Sequence, residues 1–116
     1  MNWHIRINGQ GGLPFIWAHG LMGSIALDDA TGYFYDRNMP PMTQFIRYDA
    51  RGHGFSDGSD DLEDYTWPSL ARDMIAIADR IGAEQFIAGG QSMGSMTALL
   101  AACLAPNTVK ALVLAT

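Results

Sequence analysis

Apolar residues along this chain fall into two alternating kinds of run, short near-continuous ones and longer ones with helical spacing. Trp3-His4-Ile5-Arg6-Ile7 alternates and reads as a half-exposed strand, closed by a turn at Asn8-Gly9. Pro14-Phe15-Ile16-Trp17-Ala18 and Phe45-Ile46-Arg47-Tyr48 are short apolar strands, separated by a loop or short helix from Ser24 to Arg37. Asp57 to Asp61 is a polar, acidic loop. Beyond it Trp67, Leu70, Ala71, Met74, Ile75, Ala78 and Ile81 line one face of a helix. Thr66 is its N-cap, Pro68 falls in the first turn, where a missing N–H costs little, and Gly82 suits the C-terminal cap. Gln85-Phe86-Ile87-Ala88-Gly89 is the next strand. Met93, Met96, Leu99, Leu100, Cys103 and Leu104 then recur at helical spacing until Pro106 ends the helix. Val109 to Ala115 is a last apolar strand. Alternating strands and helices, with strands apolar on both faces, predict an α/β fold: three αβα layers around a mostly parallel sheet.

The chemistry concentrates where one strand meets one helix, at Gly90-Gln91-Ser92-Met93-Gly94. Strand, G-x-S-x-G and helix is the context of a nucleophile elbow, a turn so tight that the residues two before and two after the serine must be nearly free of side chain. A helix starting at the serine also aims its free N–H groups at developing negative charge. The plainer reading of the pentapeptide is a glycine-rich turn with a serine N-cap. A phosphate loop is excluded, because Ser95-Met96 stands where Lys-Ser/Thr is needed. Gly9-Gln10-Gly11-Gly12 is no dinucleotide fingerprint, since Pro14 takes the place of the third glycine.

Two more segments belong with the elbow. The strand at Pro14 to Ala18 runs into His19-Gly20-Leu21-Met22-Gly23, and the strand at Phe45 to Tyr48 runs into Asp49-Ala50-Arg51-Gly52-His53-Gly54-Phe55-Ser56-Asp57. An apolar strand into H-G-x-x-G, then D-x-R-G-H-G-x-S, then G-x-S-x-G, in that order, resembles the α/β-hydrolase fold family from about Ile7 to the last residue. Within it, a serine followed by Met-Gly is similar to the small esterase, enol-lactone hydrolase, C–C-bond hydrolase and perhydrolase groups. It argues against the haloalkane dehalogenases and epoxide hydrolases, which use an aspartate there.

That resemblance implies roles. Ser92 is the expected nucleophile of an acyl-enzyme mechanism on an ester, lactone, thioester or related small-molecule acyl substrate. The backbone N–H groups of Met93 and Leu21 are the expected oxyanion donors, and Gly20 and Met22 the expected substrate-binding residues. Met22, Met93 and Tyr33-Phe34-Tyr35 could line an acyl pocket, with core packing the safer reading for most of them. No metal and no organic cofactor is implied.

The triad is incomplete, because the family's acid and histidine follow the serine along the chain. His4, His19 and His53 all precede it and read as structural or solvated, with His19 shaping the H-G loop and His53 the least remote as a base. Asp49 reads as tying down the turn it opens. Asp57, Asp60, Asp61, Glu63 and Asp64 read as a solvated acidic loop, since their spacing fits no calcium loop. Residues 1–116 are therefore expected to be the N-terminal part of one hydrolase domain, truncated after the strand that follows the elbow helix. Triad acid, histidine and any cap would lie beyond Thr116. The competing expectation is an inactive fragment, or a binding module that keeps the elbow.

Bulk properties narrow this further. With 116 residues, 48% of them hydrophobic and 16% charged, the chain is globular in composition and has room for one domain. Seven Lys+Arg against twelve Asp+Glu give a net charge of −5, with no basic cluster to favour nucleic acid or an anionic membrane. Cys103, the one cysteine, is read as core packing. No basic segment leads into an apolar run at the N-terminus, which makes a cytoplasmic location the expectation. Val109 to Ala115, with Lys110 its one charge, is expected to leave an open edge and drive self-association.

Overall fold

A computed structural model of the chain describes residues 1–34 and 43–115. Five strands form one sheet in the order β1-β3-β2-β4-β5: β1 Ile5–Asn8, β2 Phe15–Ala18, β3 Phe45–Tyr48, β4 Phe86–Gln91 and β5 Val109–Ala115. β1 runs antiparallel to β3, and every other pairing is parallel. The first strand begins two residues later than the Trp3 expected from alternation, and β4 continues to the residue before Ser92. Tyr35 and Arg37, which the expected aromatic run and connecting segment include, lie outside the described residues, as does Thr116.

The alternation of side chains along β2 and β3 separates two faces. Ile16, Ala18, Ile46 and Tyr48 join Phe86 and Ala88 in the main core, packed against Ala71, Met74, Ile77 and Ala78 of helix α2 (Trp67–Arg80) and Ala98 and Ala101 of helix α3 (Met93–Leu104). The opposite face carries Phe15, Trp17, Phe45 and Arg47. There Phe34 sits edge-on to Trp17 and Phe45, with ring centroids 5.0 and 5.1 Å apart, and helix α1 spans Ile25–Ala30. The buried Arg47 guanidinium donates to Asp29 of α1 at 2.8 Å, and Arg6 reaches the same carboxylate. Helices on both faces of a mostly parallel sheet make the expected three layers. No helix among the described residues is long and apolar enough to cross a membrane.

Helix α2 begins at the expected cap, where the Thr66 hydroxyl accepts the Ser69 N–H at 3.3 Å, and Gly82 follows its end with φ +77°. Its buried face differs from the expected one, and Ile75 and Ile81 are only half-buried. Trp67 is 45% exposed, while Ile77 and the carboxylate-bearing Asp73 are buried. Asp73 is tolerated because Arg51 donates to both of its oxygens, at 3.0 and 2.8 Å.

Helix α3 corrects the sequence reading more sharply. Its buried residues are Gly94, Thr97, Ala98 and Ala101, whereas Met96, Leu99 and Leu104 are exposed. Cys103, expected in the core, is exposed as well. Close approach to the sheet selects the small residues for the inner face, which turns most of the long apolar side chains outward. The last strand forms over the expected residues, Val109–Ala115. Among the described residues β5 pairs with β4 alone, and Leu112, Val113 and Leu114 are exposed.

Candidate active site

Ser92 stands between β4 and α3 with φ 53° and ψ −112°, a left-handed conformation that a residue bearing a side chain adopts only under constraint. Its backbone is tied on both sides. The N–H donates to Ala115 at the end of β5 (3.0 Å), and the carbonyl accepts the N–H groups of Ser95 (2.9 Å) and Met96 (3.2 Å). Ser92 is the N-cap residue of α3 by position, but its side chain is exposed and makes no capping hydrogen bond.

The flanking glycines are explained by what surrounds them. A Cβ on Gly90 would overlap the backbone of Gly94, and one on Gly94 would overlap the Ala18 carbonyl and lie 2.8 Å from the His19 carbonyl oxygen. Strand end, helix start and the end of β2 are thus in backbone contact. This close approach brings the elbow beside the H-G segment, where a Cβ on Gly20 would sit 3.4 Å from both the backbone and side-chain oxygens of Gln91.

Gly20 to Gly23 form a tight turn closed by the Gly23 N–H on the Gly20 carbonyl at 2.9 Å. Leu21 and Met22 occupy its tip, 67% and 82% exposed, and Met22 has φ 68°. Core packing therefore does not describe Met22. Met93 is half-buried and does pack against the core. Tyr33 and Phe34 pack with Trp17 on the α1 face of the sheet. Among the described residues, neither the Leu21 nor the Met93 backbone N–H donates a hydrogen bond. The structure brings Gly20, Gln91 and Ser92 into one neighbourhood through these backbone contacts.

Each histidine has structural partners. His4 Nδ1 lies 2.8 Å from an Asp49 oxygen, and His53 Nδ1 lies 2.9 Å from the Arg51 carbonyl. His19 is buried, with Nδ1 on the Gly20 carbonyl at 2.7 Å and Nε2 accepting the Ala50 N–H at 2.9 Å. Burial pushes its pKa down, and the neighbouring His53 acts in the same direction against the Gly20 carbonyl and nearby carboxylates.

Asp49 is a structural hub. Its carboxylate accepts the Phe55 N–H of its own turn at 2.9 Å, as expected, and the Ile25 N–H of α1 at 2.7 Å, which was not foreseen. The acidic segment makes both local and distant contacts, Asp57 accepting the Asn2 N–H at 3.0 Å. Asp61 caps a 3-10 turn at Leu62–Tyr65, and Asp64 accepts the Ser59 hydroxyl at 2.6 Å. Sequence reasoning missed the Arg51–Asp73 pair. A carboxylate inside the spacing Leu70, Asp73, Met74, Ile77 was the available signal for it.

Comparison with known proteins gives consistent results. A family model described as alpha/beta hydrolase fold matches residues 14–116. The chain is 32% identical over 103 residues to a proline iminopeptidase of Neisseria gonorrhoeae, covering 89% of this chain and 32% of that protein. It is 34% identical over 95 residues to a homoserine O-acetyltransferase of Thermus thermophilus, covering 82% of this chain and 19% of that protein. Among solved structures, an epoxide hydrolase from Vigna radiata superposes with a TM-score of 0.79 at 19% identity, over 97% of this chain and 35% of that one. The chain thus spans about a third or less of the curated relatives' length.

Proposed function

The chain belongs to the alpha/beta hydrolase fold family, and on that premise we propose that Ser92 is the nucleophile of an enzyme that cleaves an ester, lactone, thioester or related acyl substrate. The observation that carries this reading is the conformation of Ser92: a serine in a costly left-handed geometry, its backbone held at both ends, exposed and making no capping hydrogen bond.

In this reading the Ser92 Oγ attacks the substrate carbonyl carbon while a general base takes its proton. The carbonyl oxygen becomes an oxyanion and receives the N–H groups of Met93, at the start of α3, and Leu21, at the tip of the H-G turn. Collapse expels the leaving group, which takes the proton back, and leaves an acyl-enzyme on Ser92 for water to hydrolyse. The family's histidine follows the serine along the chain, whereas His4, His19 and His53 precede it and hold Asp49, Gly20 and Arg51, so this reading assigns the base to the remainder of the complete protein. Gly20 and Met22 form the near wall of the substrate site. The relatives' names, a peptidase and an acetyltransferase, both describe acyl transfer, which supports the class of reaction. The epoxide hydrolase likeness supports the fold alone. A cytoplasmic location is part of the reading.

The complete protein carrying this chain tests it. Turnover of p-nitrophenyl acetate should vanish in Ser92→Ala, and a fluorophosphonate probe should label wild type at Ser92. Labelling that survives the substitution would overturn the assignment. Residues 1–116 alone should show only the residual rate left when a triad member is missing. Added alcohol that diverts the acyl group would identify a transferase. A complete protein with no turnover and no labelling would favour the binding-module reading.

A further inference from the structure

We infer that His19 is a positioning residue that aims the Leu21 amide at the oxyanion, with Ala50 holding His19 in turn; this rests on the serine chemistry proposed above. The carbonyl of Gly20 and the N–H of Leu21 belong to one peptide plane and point in opposite directions. Whatever fixes the Gly20 oxygen therefore fixes the direction of the Leu21 N–H. That oxygen has two donors, His19 Nδ1 at 2.7 Å and the Gly23 N–H at 2.9 Å.

The imidazole is itself held. The Ala50 N–H can only donate, so Nε2 carries the lone pair and Nδ1 carries the proton that goes to Gly20. Protonation of Nε2 would abolish the Ala50 contact. The groups facing the ring are His53, whose centroid is 5.1 Å away, with Asp49 and Asp28 beyond. Ala50 follows Asp49, whose carboxylate is clamped by the Ile25 and Phe55 N–H groups, so the support is rigid. Gly23 completes the arrangement, since a Cβ there would lie 2.9 Å from the Gly20 oxygen and 3.1 Å from His19 Nδ1. An oxyanion donor is effective when it is already aimed before charge develops, and the loop after β3 contributes to that aim through His19, beside the Gly23 N–H.

Two variants of the complete protein separate the halves of this link. In His19→Asn the amide nitrogen can replace Nδ1 as donor to Gly20. In His19→Gln the amide oxygen can replace Nε2 as acceptor for Ala50, but the donor to Gly20 is lost. His19→Gln should lower kcat by roughly 10- to 100-fold with KM unchanged, less than the ~10²–10³-fold for deleting a donor outright. A boronate that forms a tetrahedral adduct on Ser92 should weaken in parallel, and His19→Asn should retain most of both. Equal kcat and equal boronate affinity in wild type and His19→Gln would overturn the inference while leaving the serine reading intact. Turnover surviving in Ser92→Ala would remove the serine reading, and this inference with it. If neither variant folds, nitrogen NMR of the wild-type histidines decides: at neutral pH His19 should be uncharged with the proton on Nδ1, the tautomer that the Ala50 and Gly20 contacts require. A protonated ring or the Nε2–H tautomer would overturn it.

Discussion

The Asp49 carboxylate, at the end of β3, accepts the backbone N–H of Ile25 at 2.7 Å and so anchors the first turn of α1 from 24 residues away. The same group holds Phe55 and lies against His4, which makes one buried side chain the junction of three segments. Ala50, next in sequence, carries the contact to His19, and the turn below the serine depends on that contact.

Burial pushes the Asp49 carboxyl upward, but the Ile25 and Phe55 amides and His4 outweigh it, and its pKa lies below the ordinary value. Folding therefore favours the ionised form. Its contribution is fully present above the unfolded value near ~3.9 and is lost as pH falls through the lower folded value. Asp49→Asn should cost about 2 kcal/mol at pH 7, the scale of hydrogen bonds to a buried charge. It should also flatten the loss of stability in acid. Urea denaturation at neutral and acid pH measures both, and an unchanged acid limb would assign that limb to another group.

Ser92→Gly should make the protein more stable by about 1 kcal/mol while abolishing turnover. A glycine adopts φ 53° without the steric cost that a serine bears. Thermal or urea denaturation of the two forms is the measurement. Equal or lower stability in the glycine variant would show that the elbow holds no strain at this residue.

The Arg51–Asp73 pair should show a coupling of about 1–2 kcal/mol in a double-mutant cycle of Arg51→Ala and Asp73→Ala. Both side chains are largely buried, with 19% and 8% exposure, and two hydrogen bonds join them. A coupling of only a few tenths of a kcal/mol, typical of exposed pairs, would show that the contact contributes little.

The polypeptide of residues 1–116, taken alone, should self-associate through β5. Leu112, Val113 and Leu114 are 37%, 46% and 46% exposed on a strand paired along one side only among the described residues. Val113→Lys should shift it towards monomer in light scattering. A wild-type chain that stays monomeric at high concentration would show that the edge is not adhesive.

Much of this architecture was legible because its strands are short apolar runs bounded by glycine, proline or polar turns, and β3 and β5 begin and end where those runs do. The elbow was legible because backbone contact between Gly90 and Gly94 leaves no room for other residues. Helix α3 was not. Long apolar side chains at Met96, Leu99 and Leu104 imitate a core stripe, while the true inner face is marked by residues too small to register as hydrophobic. Polar groups that reach across the fold leave little local pattern: the Asp49 contact to Ile25 leaves none, and the Arg51–Asp73 pair only a carboxylate on the buried face of α2. They become visible only when the strand ends are placed in space.

The order of strands also bears on how the molecule assembles during synthesis. β2 lies at the centre of the sheet, and Phe15 cannot complete its pairing until Ile87 has been made. Parallel partners so far apart in sequence impose a high contact order and slow closure. Until β4 arrives, the nascent chain carries β2 with one flank open, so the segment that bears the serine also completes the centre of the sheet. A ribosome pausing before Phe86 would hold a chain that can pair β1, β3 and β2 but cannot close around them, a natural client for a chaperone.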